Sequence, residues 1–293
     1  MSSPVLLSPE VSAALSEGSP VVALETSIVG QGLPAPHNLR AARECEAAIR
    51  SAGAVPATVA VIDGRLCAGL SDGDLQRIAG GATKVSSRDL GPALIRHALG
   101  ATTVAATMRV AAMAGIRFFA TGGIGGVHRG HPEDVSADLE ELGRTPVAVF
   151  CAGAKIILDL AMTLERLESL SVPVLGYGTD EFPAFYTRRS GLRVAARVDG
   201  DRETADVIRS AWDSGSRGIV VAVPPPADLE GAETIARQAA SELSGLSGAD
   251  VTPRLLARMA ELSGGRSVDL NVELVVNNAR VAAQVAKAYS RQT

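Results

Sequence analysis

Five short segments of the 293-residue sequence carry side chains able to do acid–base or covalent chemistry. The run Val21-Val22-Ala23-Leu24 ends in Glu25-Thr26-Ser27 ahead of Gly30 and Gly32. Ligands of open α/β sheets bind beyond the carboxyl ends of strands, so Glu25 stands where a general acid or base is useful; otherwise it is a solvated turn carboxylate. In Thr83-Lys84-Val85-Ser86-Ser87-Arg88-Asp89, cations and hydroxyls share one stretch. Lys84 there is either a phosphate contact through charge-assisted hydrogen bonds or a solvated lysine ahead of a helix. The run Thr121-Gly122-Gly123-Ile124-Gly125-Gly126-Val127-His128-Arg129-Gly130 fails the dinucleotide spacing, because His128 falls where the third glycine belongs. It is either a surface turn or a loop whose amides approach an anion closely.

In Glu133 to Glu141, a helix would put Asp134 and Asp138 on one face. Carboxylates of that kind suit a hard Mg²⁺ or Mn²⁺ ion, or they simply complement a helix dipole. Finally, Cys151-Ala152-Gly153-Ala154-Lys155 follows a strand-like run and is expected to open a helix over Ala154 to Ser169. Lys155 in its first turn would meet the positive dipole end, which favours the neutral amine of a nucleophile. The alternative is an ammonium that reaches solvent.

The elements that must position these groups follow a βαβ rhythm. Strands are expected at Val21 to Leu24, Ala57 to Ile62, Arg117 to Ala120, Val147 to Cys151, Val172 to Tyr177, Arg193 to Val198 and Gly218 to Val223. Helices are expected at Asn38 to Ala52, Asp74 to Ala79, Gly91 to Leu99, Val104 to Ala114, Arg202 to Ser214, Leu229 to Leu243, Pro253 to Leu262 and Val272 to Ser290, besides the one opened by Ala154. Strands apolar on both faces imply helices on both sides. The expected fold is α/β, a three-layer α-β-α sandwich around a mainly parallel sheet, with residues 1–293 forming a single domain. The apolar face of the Val272 to Tyr289 helix offers room for a subunit interface.

A net charge of -4 and an aromatic content of 3% lack what phosphate-backbone binding and base stacking need, so no polymeric nucleic acid partner is expected. Cys45, Cys67 and Cys151, unpatterned and odd in number, suit reduced buried thiols rather than a disulfide or zinc site. No secretion signal and no membrane-spanning run is read in the sequence, so the expected location is cytoplasmic.

Taken in order, these segments resemble the pseudouridine-5'-phosphate glycosidase family, also known through the indigoidine-synthesis A proteins. The resemblance rests on Ala23-Leu24-Glu25-Thr26-Ser27-Ile28, Lys84 to Leu90, Gly100 to Met108, Phe119 to Gly130, Ser136-Ala137-Asp138-Leu139, Cys151 to Lys155, Thr179 to Tyr186 and Asn277-Asn278-Ala279-Arg280. It implies Glu25 as proton donor, Lys155 as covalent nucleophile and Asp134 as ligand of Mn²⁺, with Mg²⁺ or another divalent cation as the alternative. By the same implication Lys84, Val104, Ser136, Ala137 and Asp138 contact substrate, with His128 and Asn277 or Asn278 near the pyrimidine or ribose. The implied reaction is reversible hydrolysis of pseudouridine 5'-phosphate to uracil and ribose 5-phosphate through a lysine Schiff base, in a homotrimer. Two departures stand out: Thr26-Ser27 replaces the usual Ser-Thr order, and Gln31, Ala35 and His37 replace common loop residues.

A carbon leaving group is poor, and a lysine that adds at C1' can help expel it, being left as an imine when the carbon–carbon bond breaks. Two rival readings keep some of these residues. A Schiff-base aldolase on another phosphosugar retains Lys155 and Lys84 but is indifferent to uracil. A noncatalytic sugar-phosphate or nucleotide-binding regulator binds without turnover.

Overall fold

The computed structural model describes residues 4–243 and 251–291. Seven strands run parallel through its main sheet, in the spatial order Val55–Ile62, Val21–Leu24, Phe118–Ala120, Ala148–Cys151, Ile219–Ala222, Val174–Tyr177 and Ala196–Val198. Register brings Leu24 level with Ala120, and Ala120 level with Phe150. The chain segments leaving the Val21, Phe118 and Ala148 strands therefore emerge side by side. Every residue of the Val21, Phe118, Ala148 and Ile219 strands is buried, because helices cover both faces.

The far half of Val55–Ile62 turns the sheet mixed: it pairs antiparallel with Arg65–Ala68 and with Gly100–Thr102. Val5–Leu7 and Thr83–Val85 extend those edges in parallel. Arg266–Ser290 packs on His37–Ala52, on Asp201–Asp213 and across the central strands, while Val104–Met113 packs with Ala137–Leu142 on the strands from the other group of helices. The architecture is the expected helix-sheet-helix arrangement. Val272, Val275, Ala279, Ala282 and Ala286 are buried in that packing, so the apolar face of the last helix is covered within the chain.

Two expectations near the chemistry are corrected. Lys155 does not stand in a first helical turn: the helix spans Leu160–Ser169 and starts only where the Asp159 side chain accepts from the Met162 amide at 3.0 Å. Before it, Ile124 bridges Ala154, and the Lys155 amide donates to the Ile124 carbonyl at 3.2 Å. The glycine-rich run thus holds residues 154 and 155 in an extended path, and dipole activation of Lys155 does not apply. Likewise Asp134 and Asp138 share no helix face. His131–Val135 is a strand paired antiparallel with Val127–His128, and the helix begins at Ala137 with Ser136 as its cap.

Candidate active site

Glu25, Thr121 and Lys155 follow the carboxyl ends of three adjacent parallel strands and meet around a cavity of about 440 Å³. Glu25 is held between two hydroxyls: Ser27 Oγ donates to Oε2 and Thr121 Oγ1 donates to Oε1. Thr26 points the other way, donating to the Val59 carbonyl at 2.8 Å and accepting from the Thr102 amide at 2.9 Å. The Thr-Ser order thus gives the threonine to the strand junction and the serine to the carboxyl group. Burial pushes the Glu25 carboxyl above the usual carboxylate range, against the pull of the Lys155 charge and the two hydroxyl donors.

Asp138 is buried and accepts from two backbone amides. Oδ1 accepts from the Ala105 amide at 2.9 Å and Oδ2 from the Gly125 amide at 2.8 Å, which fastens the glycine-rich run to the start of the Val104–Met113 helix. A Cβ at Gly125 would collide with Ser136 Oγ and come within 2.8 Å of Asp138 Oδ2, so only glycine permits this approach. Gly153, at φ 82°, has no room either, because its Cβ would strike the Pro183 carbonyl.

One end of the cavity gathers cationic and hydroxyl side chains. Lys84 lies on the Thr83–Val85 strand beside Ser86, with Arg88 nearby and Val104 across the cavity lining. At the helix start, Ala105 is bonded to Asp138 and Ala106 to Thr103 Oγ1. The Val104 amide is the first of the helix and has no intrahelical carbonyl to bond. A lysine beside a helix N-terminus is a setting for a phosphate.

The Val127 to Val135 hairpin closes another side, and Leu158–Asp159 adds to it as a third antiparallel strand. His128 Nδ1 is 3.3 Å from Asp134 Oδ2. Arg129 braces this side: Nε donates to the Leu158 carbonyl at 2.9 Å, one Nη to the Ile156 carbonyl at 2.8 Å, and another pairs with Glu233 at 2.7 Å. The same arginine therefore holds the hairpin of Asp134 against the loop of Lys155.

Glu25, Lys84, Val104, His128, Asp134, Ser136, Ala137, Asp138 and Lys155 all line the cavity. Asn277 and Asn278 are outside that lining. Asn277 Oδ1 accepts from Arg280 at 2.8 Å, and buried Asn278 donates to the Thr121 carbonyl at 2.8 Å, steadying the residue that grips Glu25. Sequence reasoning missed Thr121, Phe185 and Asn271 as lining groups. Asn271 stands two helical turns before Asn278, a spacing that puts the two on one helix face. Phe185 carries φ 62°, rare for an aromatic residue and frequent at sites held by their surroundings.

Among curated relatives, the chain is 50% identical to the pseudouridine-5'-phosphate glycosidase of Myxococcus xanthus over 97% of this chain and 98% of that one. It is 52% identical to the enzyme of the same name from a Nocardioides species, over 97% and 96%. A solved structure of the prealnumycin C-glycosynthase AlnA in complex with ribulose 5-phosphate superposes with a TM-score of 0.88 at 37% identity, covering 98% of this chain and 97% of that one. An indigoidine synthase A-like protein from Thermotoga maritima superposes with a TM-score of 0.90 at 31% identity and the same coverages. The family model described as indigoidine synthase A like protein matches residues 10–288, and the chain belongs to that family.

Proposed function

We propose that the chain is a pseudouridine-5'-phosphate glycosidase, an enzyme that hydrolyses the C1'–C5 bond of pseudouridine 5'-phosphate reversibly to uracil and ribose 5-phosphate. The observation that carries this reading is the convergence of buried Glu25, its carboxyl raised above the ordinary range, and Lys155 on one cavity whose lining also holds Lys84, Ser86 and Arg88. The names of relatives about half identical to the chain support it.

In the cleavage direction Lys84 and the Val104 amide hold the phosphate and so fix the ribose relative to the strand ends. Glu25 gives its proton to the ring oxygen as the C1'–O4' bond breaks, and the Lys155 nitrogen forms its bond to C1'. The nitrogen lone pair then closes a C1'=N imine while the C1'–C5 electron pair leaves with uracil, whose C5 takes up a proton. Water adds to the imine and releases ribose 5-phosphate and the free amine. The buried setting of Glu25 serves the first step, since an acid must hold its proton at working pH to give it away.

The Asp134 carboxylate, on the cavity side of the hairpin and 51% exposed, has room for a hydrated cation. Among the described residues no three His, Cys, Asp or Glu side chains gather into a closed metal cage. A single open carboxylate fits Mn²⁺ or Mg²⁺ that keeps most of its waters and neutralises a substrate phosphate. We further place the enzyme in the cytoplasm as a homotrimer, a state that light scattering on the purified protein tests.

The deciding experiment mixes ribose 5-phosphate and uracil with Mn²⁺ and follows uracil loss by ultraviolet absorbance and product mass. A phosphorylated C-nucleotide is expected, absent with Lys155→Ala and weakened by chelation or by Asp134→Ala. Product from other carbonyl donors with indifference to uracil would instead support an aldolase, and binding without turnover a regulator.

A further inference from the structure

Behind the cationic end of the cavity, one side chain outside it ties together three segments that line it. Those segments are Lys84 to Asp89, the start of the Val104–Met113 helix, and Ser136 to Asp138. Arg109 lies farther along the Val104–Met113 helix and is not part of the lining. Its guanidinium forks onto Glu141, with Nε donating to Oε1 at 3.1 Å and Nη2 to Oε2 at 2.5 Å. The remaining nitrogen, Nη1, donates to the Ser87 carbonyl at 3.4 Å. Glu141 belongs to the Ala137–Leu142 helix that Ser136 caps. Ser87 opens the Ser87–Asp89 turn, in which the Asp89 carboxylate accepts from the Ser86 amide at 3.0 Å.

This is not an ordinary surface ion pair. The Glu141 side chain is 4% exposed and also accepts from Thr145 Oγ1 at 2.5 Å, so its carboxylate is a fixed anchor. A planar fork held on both oxygens of a fixed carboxylate has one orientation, and that orientation aims Nη1 at Ser87. In a trans peptide the carbonyl and the following N–H point opposite ways, so a grip on the Ser87 carbonyl also sets how the turn presents its neighbours. Those neighbours include Ser86 and Arg88, which line the cavity with Lys84. We infer that Arg109 is a positioning residue for the substrate phosphate, setting the spacing between the Lys84 to Arg88 segment and the Val104 amide. The inference rests on the glycosidase reading and adds to it a residue outside the cavity that governs phosphate affinity. Arg109 bonds neither Glu25 nor Lys155, so its effect falls on the phosphate and spares the carbon–carbon bond chemistry.

The test runs on the intact protein in the synthetic direction, with uracil saturating. Arg109→Met alone would strand a buried carboxylate, whereas neutralising both members of a buried pair is far milder. The informative variant is therefore Arg109→Met combined with Glu141→Gln. It should raise KM for ribose 5-phosphate about 10-fold while kcat stays within about 3-fold of the wild type. Inorganic phosphate, used as a competitive inhibitor, should weaken by the same factor. Borohydride trapping of unphosphorylated ribose on Lys155 should keep the wild-type rate. An unchanged KM in the folded double variant overturns the assignment. Equal slowing with ribose and ribose 5-phosphate also overturns it, because Arg109 would then serve the fold at large. If the double variant does not fold, Arg109→Lys decides: an ammonium keeps Glu141 paired but cannot present the fork and reach Ser87 together. KM should again rise for the phosphorylated sugar alone, and an unchanged KM overturns the assignment. If the wild type traps no sugar and makes no C-nucleotide, the glycosidase reading has failed and this inference falls with it.

Discussion

Lys155 and Glu25, on strand ends separated only by the strand that leads to Thr121, sense one another electrostatically: burial raises the Glu25 carboxyl above its ordinary range and the Lys155 charge draws it back down. The Glu25 carboxyl thus reports the Lys155 charge, and a change at Lys155 is readable at Glu25.

Replacing Lys155 with Met removes the cation and leaves the burial, so the Glu25 pKa should rise further. Infrared difference spectra of the protonated carboxyl C=O stretch across a pH series measure this. A pKa that falls or stays fixed in Lys155→Met would contradict the coupling.

Catalysis inherits the same sign. Glu25 is useful to cleavage while protonated, so kcat should decline as pH rises through its raised pKa, and the basic limb of the profile should disappear in Glu25→Gln. That variant should lose about 10²- to 10⁴-fold in kcat, the range for a missing general acid. Steady-state rates between pH 5 and pH 9 supply the comparison.

Stability should follow the same direction with pH. With the folded pKa above the unfolded one, the folded state holds the extra proton between the two values, and stability falls as pH climbs from the unfolded value through the folded one. Glu25→Gln has no charge to bury. Its melting temperature should equal that of the wild type at about pH 4, near the unfolded value, and exceed it increasingly toward pH 8. A difference of constant size across the scan would remove burial of the charge as the cause.

Asp138→Ala should destabilise the fold by about 3 kcal/mol, since two buried backbone amides lose a charged acceptor. Urea unfolding measures it. Asp138→Asn, which keeps one acceptor oxygen, should lose about half as much.

Arg129→Met should leave the unfolding midpoint nearly unchanged and lower kcat by about 10- to 100-fold, because its bonds to Ile156 and Leu158 fix the loop that carries Lys155. Stopped-flow trapping of ribose 5-phosphate should slow to match. A variant with normal trapping and raised KM alone would mean that the brace serves binding rather than the nucleophile.

The parallel core was legible because doubly covered strands must be apolar throughout, as Val21–Leu24 and Ala148–Cys151 are. Glu25 could be read at a strand end for the same reason. The surroundings of Lys155 could not be, since Ala154 to Ser169 is a good helical sequence whose first residues are claimed by pairing with Ile124, a contact 30 residues away in the chain. Only the Asp159 cap marked the true start, and a lone aspartate in a leucine-rich run is a weak signal. The hairpin of His128 and Asp134 is short and polar, with no alternating apolar pattern to betray it. Asn271 became visible only when the last helix was placed under the glycine-rich run, because its distinguishing property is an oxygen without a partner rather than a motif.

The most direct test of the account is mass analysis of the protein after borohydride reduction in the presence of ribose 5-phosphate. The account predicts one sugar phosphate fixed per chain, on the peptide containing Lys155, and none in Lys155→Ala. An unmodified chain, or a label that persists in Lys155→Ala, would contradict it.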